Sequence, residues 1–190
     1  MNRRGRIFII SAPSGCGKTT LCRRILRSNL GLKYSVSMTT RPKRAGEING
    51  KDYHFTAKNN FQKGIKENKF LEWAKTYGWY YGTPKWFVAQ ALKKGKDVLL
   101  SIDVKGAMNV RRLYPESVLI FVLPPSIKEL KERLKKRNAD DKKEINKRLK
   151  IVKKELSYVN KYDYSVVNDS VNNAIRKLKA IITAEKKQRG

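Results

Sequence analysis

The stretch Arg6-Ile7-Phe8-Ile9-Ile10-Ser11-Ala12-Pro13-Ser14-Gly15-Cys16-Gly17-Lys18-Thr19 decides how the rest of the chain is read. Arg6–Ile10 is a short apolar run ending in a glycine-bearing turn, the pattern of a buried strand. Ala12 to Thr19 follows the phosphate-loop spacing, with Ala12 where that pattern carries its first glycine. From Lys18 to about Arg27 the spacing predicts a helix, with Leu21, Ile25 and Leu26 as its apolar stripe. Strand, loop and helix together are the context the motif requires. Gly15 and Gly17 let backbone N–H groups turn inward around phosphates, and the helix N-terminus adds a partial positive charge. In such a loop Lys18 reaches the β and γ phosphates and the Thr19 hydroxyl ligates Mg²⁺. The expected nucleotide site is Ala12, Pro13, Ser14, Gly15, Cys16, Gly17, Lys18, Thr19 and Thr20, with Cys16 a small filler rather than a reactive thiol. The loop alone implies a nucleoside triphosphate. It does not separate GTPases, ATPases and small-molecule kinases.

Composition sets bounds on the rest. A chain of 190 residues that is 40% apolar suits one domain with a sizeable core. Mean hydropathy of -0.62 and the lack of any apolar run of about 18 residues exclude a membrane helix. Met1 to Pro13 imitates a secretion signal, but Ile7–Ile10 falls short of the roughly 7–15 apolar residues such a signal needs. Cys16 and Cys22 have no second pair to complete a metal site, which fits a reducing, cytoplasmic compartment. With 44 Lys and Arg against 16 Asp and Glu the net charge is +28. Paired lysines such as Lys93-Lys94 and Lys153-Lys154 fall in stretches that read as solvated helix faces. The field favours phosphate ligands and implies at most non-specific attraction to nucleic acid.

Further along, Tyr34–Met38 and Asp52–Phe55 read as short strands around a turn-rich segment from Pro42 to Gly50. Phe61–Asn68 reads as a helix, Phe70–Lys75 as a strand, and Pro84–Lys94 as a helix with proline in its first position. Asp97–Asp103 is a strand, Gly106–Leu113 a helix and Val118–Leu123 a strand. Ser126 with Glu129 forms a capping box before a helix to about Lys136, and Asp141 with Glu144 resembles a second before Lys142–Val159. Tyr164–Val167 closes as a strand, followed by the helix Val171–Lys187. Alternating strands and helices predict an α/β fold with a parallel sheet of about five strands covered on both faces. The segment from Tyr34 to Gly82 breaks that rhythm and reads as an inserted β-rich subdomain.

A second set of motifs begins there and runs beyond it: Ser37-Met38-Thr39-Thr40-Arg41-Pro42-Lys43-Arg44-Ala45-Gly46-Glu47, Gly50-Lys51-Asp52-Tyr53-His54-Phe55, Phe70-Leu71-Glu72-Trp73-Ala74, Tyr80-Tyr81-Gly82-Thr83 and Ile102-Asp103-Val104-Lys105-Gly106-Ala107. In this order after a phosphate loop, the chain resembles the guanylate kinase family from about Arg6 to Lys187. The resemblance implies a single P-loop NTPase-type three-layer domain. Its core would be about 1–33, 96–125 and 150–190, with a GMP-binding insertion about 34–95 and a lid about 126–149. It implies transfer of the γ-phosphate of ATP to GMP, with Mg²⁺ as cofactor and a monomer or homodimer as the assembly. Positions matching the family's phosphate contacts are Arg41, Arg44, Tyr53 and Tyr81, chemically apt because a dianion wants arginine forks and hydroxyls. Glu72 and Asp103 match its guanine-reading carboxylates, and Ser37 and Thr83 its hydroxyl contacts to the base. Guanine presents N1–H and N2–H₂ donors, so AMP would leave a carboxylate unpaired at a loss of roughly 2–5 kcal/mol.

Arg133, Arg137 and Arg148 match the family's lid arginines, which with Lys18 and Arg41 make up the catalytic cations. Arg133 and Arg137 stand four apart, on one helix face. Asn168 matches a segment near the adenine of ATP. His54, the sole histidine, reads as structural, since phosphoryl transfer needs cations and positioning more than a base. Ser101 stands where many family members carry an acidic residue, which implies a weaker hold on Mg²⁺ in an enzyme still active through Lys18 and the arginines. Two rival readings are a guanylate-kinase-like binding module and a basic nucleic-acid-binding protein. The first typically lacks the working loop that Gly15, Gly17, Lys18 and Thr19 form. No nucleic-acid-reading motif accompanies the charge in support of the second.

Overall fold

A computed structural model describes residues 4–76, 78–137 and 142–188, with side chains described outside 133–148. The expected alternation of strands and helices is present on either side of the inserted β-rich segment. β1 (Ile7–Ser11) feeds the loop that opens α1 (Lys18–Leu26), and every residue of β1 is buried. Strands covered on both faces read as continuous apolar runs, which explains Ile7–Ile10. After β2 (Lys33–Tyr34) the chain makes β3 (Met38–Thr39), β4 (His54–Phe55), α2 (Lys58–Lys66), β5 (Phe70–Thr76), β6 (Trp79–Pro84) and α3 (Lys85–Lys93). It then alternates through β7 (Val98–Ser101), α4 (Val104–Leu113), β8 (Val118–Leu123), α5 (Ile127–Arg137), α6 (Lys142–Leu156), β9 (Tyr164–Val167) and α7 (Val171–Lys187).

Five strands form a sheet in the order β2-β7-β1-β8-β9, with β2–β7, β1–β8 and β8–β9 paired in parallel. A second sheet of four strands, in the order β4-β3-β6-β5, lies between β2 and β7 in sequence. Here β3 pairs antiparallel with β6 and parallel with β4, and β5 pairs antiparallel with β6. The chain groups into two compact units. The first comprises Met1–Ile7, Gly31–Leu100 and Lys105–Ser117; the second comprises Phe8–Leu30, Ser101–Val104 and Val118–Gly190.

Several local expectations shift. Tyr34–Met38 is not one strand but two ends of β2 and β3, which belong to different sheets. Ser35 still donates its N–H to Leu99 at 3.2 Å, and a few residues later the chain has joined the other sheet. β6 escapes prediction because Gly82 and Pro84 read as strand breakers. Gly82 is nevertheless required there: a Cβ would sit 2.7 Å from the Phe70 ring and 2.9 Å from that of Phe61. Phe61 and Phe70 stack at 4.3 Å across that gap and seat α2 on the sheet. Pro84 ends β6 and caps α3 rather than opening it, and α2 begins at Lys58, ahead of its first buried aromatic. At α5 the Glu129 N–H donates to the Ser126 hydroxyl at 3.1 Å, as a capping box requires. Asp141, of the second expected box, lies outside the described residues.

Candidate active site

The phosphate loop lies in the second unit. Gly15 and Gly17 take φ of 88° and 83°, left-handed conformations that favour glycine, and Gly17 is the residue that caps α1. A Cβ on Gly17 would also come within 2.7 Å of Asn168 Nδ2. That amide is committed: Asn168 is buried at the end of β9, donating Nδ2 to the Cys16 carbonyl at 2.8 Å and its backbone N–H to Leu123. Asn168 therefore braces the loop from behind. Lys18 donates Nζ to the Ile102 carbonyl at 3.1 Å, while Thr19 and Thr20 are exposed in the first turn of α1.

Behind the loop is a buried polar cluster. Glu155, near the end of α6, accepts the backbone N–H of Ser14. Its pKa is raised to about 7, first by burial and further by Asp103, against the opposing pull of Lys18 and the Ser14 N–H. Burial likewise pushes the Tyr162 phenol well above its ordinary range. The Ser11 and Tyr162 hydroxyls are neighbours, yet neither has a hydrogen-bond partner of good geometry among the described residues. Ser101 hydrogen-bonds Cys22, whose thiol burial pushes up.

All of the second set of motifs but the one around Asp103 lies in the first unit, where the small sheet brings most of its residues together. Arg41 follows β3 and is buried. Its NH2 reaches both Glu47 oxygens, at 2.7 and 3.0 Å, and its NH1 donates to the Pro42 carbonyl at 2.6 Å. The guanidinium lies 5.5 Å from the Tyr53 ring centre and 5.8 Å from that of Phe55, and it hydrogen-bonds Tyr81. Tyr53 and Tyr81 meet edge to face at 6.0 Å. Arg44 adds its backbone N–H to Glu47 at 2.8 Å, with its side chain exposed. Burial opposes both charges, but the Arg41–Glu47 pairing outweighs it, raising the arginine pKa and lowering that of the carboxyl. Burial raises the Tyr81 pKa, with Tyr53 adding to it and Arg41 and Arg44 opposing.

On the same face of the sheet, the β5–β6 register sets Glu72 opposite Thr83 and Ala74 opposite Tyr81. Thr83 donates its hydroxyl to Glu72 Oε1 at 2.5 Å, and both side chains are buried. Ser37 is buried just before β3, at the end of the register that pairs Met38 with Gly82. His54 is exposed on β4, held by its backbone N–H to Ser37. Asp103 belongs to the second unit, between β7 and α4. The side chains of Arg133, Arg137 and Arg148 lie outside the described residues.

The guanylate kinase family profile matches residues 4–185. This chain belongs to the guanylate kinase family. The guanylate kinase of Caldanaerobacter subterraneus subsp. tengcongensis is 50% identical over 186 residues, 98% of this chain and 90% of its own. That of Clostridium tetani is 51% identical over 183 residues, 96% of this chain and 88% of its own. A crystal structure of guanylate kinase from Anaplasma phagocytophilum superposes with a TM-score of 0.83 at 32% identity, covering 97% of this chain and 87% of that one. Guanylate kinases use ATP, and the loop around Lys18 is the one such an enzyme needs.

Two residues of this guanylate kinase family member carry little signal in the sequence. Glu47 follows Arg41 and Arg44 with no role that the motifs assign; a lone acid six residues beyond Arg41 and among cations is the available hint. Glu155 gives no hint, since Lys153-Lys154-Glu155 reads as a solvated helix face. Among the described residues no group of three or more His, Cys, Asp or Glu could hold a metal ion, and no helix is long and apolar enough to cross a membrane.

Proposed function

We propose that the chain transfers the γ-phosphate of ATP to GMP, giving ADP and GDP by direct in-line transfer. The observation that carries this is the buried Arg41 guanidinium, flanked by Tyr53 and Tyr81, holding both oxygens of a carboxylate through its NH2 in a charge-assisted contact that a phosphate would equally make. Glu47 holds that position here. The GMP phosphate takes its place, with Arg44, Tyr53 and Tyr81 as further donors. Glu72, Thr83, Ser37 and Asp103 read the base: the buried carboxylate of Glu72 accepts guanine's N–H donors and rejects adenine, which lacks that pattern.

On the donor side Ala12 to Thr20 cradle the triphosphate, and Asn168 holds the loop's shape close to the adenine. Lys18 leaves the Ile102 carbonyl for the β and γ phosphates. Lys18, Arg41, Arg133, Arg137 and Arg148 neutralise the charge that spreads over the transferring phosphoryl group. No general base is assigned, and His54 stays outside the chemistry.

Mg²⁺ fits the donor set. It keeps several waters and binds proteins through one or two oxygen ligands plus substrate phosphates, so the exposed Thr19 hydroxyl suffices without a carboxylate cluster. When bound, it neutralises phosphate charge. Residues 1–190 act as one domain with a core, a GMP-binding insertion at 34–95 and a lid at 126–149 that closes over the phosphates. The enzyme works in the cytoplasm as a monomer or homodimer, and its +28 charge attracts nucleic acid only non-specifically.

A coupled ADP-release assay with ATP and Mg²⁺, comparing GMP, AMP, CMP and UMP, tests the reading. Turnover with GMP alone is expected. Equal turnover with AMP, or none with any acceptor, would overturn it.

A further inference from the structure

A carboxylate immediately behind a triphosphate site is electrostatically unfavourable, and Glu155 is one. It sits in the last turn of α6, about nine-tenths buried, and accepts the Ser14 N–H, which belongs to the loop that must wrap the phosphates. Its Oε2 has no hydrogen-bond partner among the described residues. An ionised carboxylate with an unpartnered buried oxygen is costly, whereas the neutral acid keeps the Ser14 bond on one oxygen and carries its proton on the other. The charged and titratable groups facing it are Lys18 from α1, Asp103 from the segment after β7, and Tyr162 from the turn before β9. Tyr162 stays protonated because burial raises its pKa, and Asp103 adds like charge. Lys18 is the one side chain named here that favours the ionised form.

Lys18 now rests on the Ile102 carbonyl and, if ATP binds as proposed above, turns to the phosphates. Glu155 then shares its stabilising cation with a polyanion that itself repels the carboxylate. We propose that Glu155 is a positioning residue of the phosphate loop that takes up a proton as the triphosphate enters. The inference rests on the ATP reading and adds to it an electrostatic link from α6 to the loop. The carboxyl titrates near neutrality, at about 7, so a modest field change suffices to switch it.

Titration calorimetry with Mg²⁺ and the non-hydrolysable β,γ-imido analogue of ATP tests this at pH 7.5, in buffers of differing ionisation enthalpy. Wild type should take up about half a proton more per analogue bound than E155Q. In steady state E155L, which removes the Ser14 acceptor, should raise KM for ATP about tenfold and leave KM for GMP within about twofold. E155Q at pH 6, where the wild-type side chain is largely neutral, should keep KM for ATP within about twofold of wild type. Equal proton uptake in wild type and E155Q, or an unchanged KM for ATP in E155L, overturns the proposal. If E155Q fails to fold, wild type decides alone: no net uptake anywhere between about pH 6.5 and 8.5 overturns it. Failure of wild type to bind the analogue sinks the ATP reading as well. Binding and GMP turnover without proton uptake sink this inference only.

Discussion

Replacing Glu72 by glutamine removes one charge and almost no volume. Glu72 is 7% exposed and its hydrogen-bond partner Thr83 is 0% exposed, so solvent cannot substitute for what is lost. The glutamine side chain retains an oxygen to accept the Thr83 hydroxyl, and the sheet should keep its stability. Its other terminus is an NH₂ that confronts the guanine donors instead of accepting them. A hydrogen bond to a charged group contributes about 1.5–3 kcal/mol, and each 1.36 kcal/mol is tenfold in rate, so kcat/KM for GMP should fall about 10- to 150-fold. The melting temperature should stay within about 3 °C, since the core is untouched. Steady-state assays with GMP and AMP at saturating ATP measure the effect, and the GMP-to-AMP ratio should fall with kcat/KM for GMP. A GMP kcat/KM within about threefold of wild type in E72Q, with folding intact, would refute base reading by this carboxylate.

Three other substitutions probe separate parts of the site. Gly17→Ala puts a side chain at φ 83° and a carbon 2.7 Å from Asn168 Nδ2, so it should cost about 2–3 kcal/mol and lower the melting temperature by roughly 4–10 °C. A shift under about 2 °C would show that the loop relaxes without strain. Arg41→Lys keeps the charge but loses the fork, so kcat/KM for GMP should fall about a hundredfold while KM for ATP holds; equal effects on both substrates would contradict an acceptor-side role. For Glu155→Gln the test is stability against pH. The folded-state carboxyl titrates at about 7, above its ordinary 4.5, so its stabilising contribution is complete below pH 4.5 and lost as pH rises through 7. Denaturant unfolding of E155Q should therefore gain on wild type by about 3 kcal/mol between pH 4.5 and 8, and a constant difference across that range would exclude a shifted carboxyl.

Legibility followed the range of the interactions involved. The phosphate loop is readable because its requirements are local: an apolar strand, glycines at positive φ and a helix start, all within Arg6 to Arg27. The bounds of β8, β9 and α7 agree to the residue because apolar patterning announces them. β6 is hidden where a long-range demand overrides local preference, with Gly82 needed under Phe61 and Phe70 rather than at a turn. Arg41, Arg44, Tyr53, Glu72, Tyr81 and Thr83 are nameable as a set from motif order. Only the β5–β6 register sets Glu72, Thr83 and Tyr81 on one sheet face, and only folding brings the loop residues Arg41 and Tyr53 against Tyr81.

The chain's own residue order therefore determines the fold class and the phosphate loop, since both depend on spacing along a few turns or strands, while the expected acceptor-site residues are named only through the family resemblance. Tertiary structure decides which charges are buried and what they face. Glu47 and Glu155 are both acids in lysine- or arginine-rich stretches and look alike in one dimension. Folding gives the first a guanidinium partner that lowers its pKa, and gives the second a buried setting and a neighbouring aspartate that raise it. Arg41 stands only six residues from Glu47, but nothing in that window says the pair is shielded from solvent, and Lys18 and Asp103, the groups that face Glu155, come from distant parts of the chain.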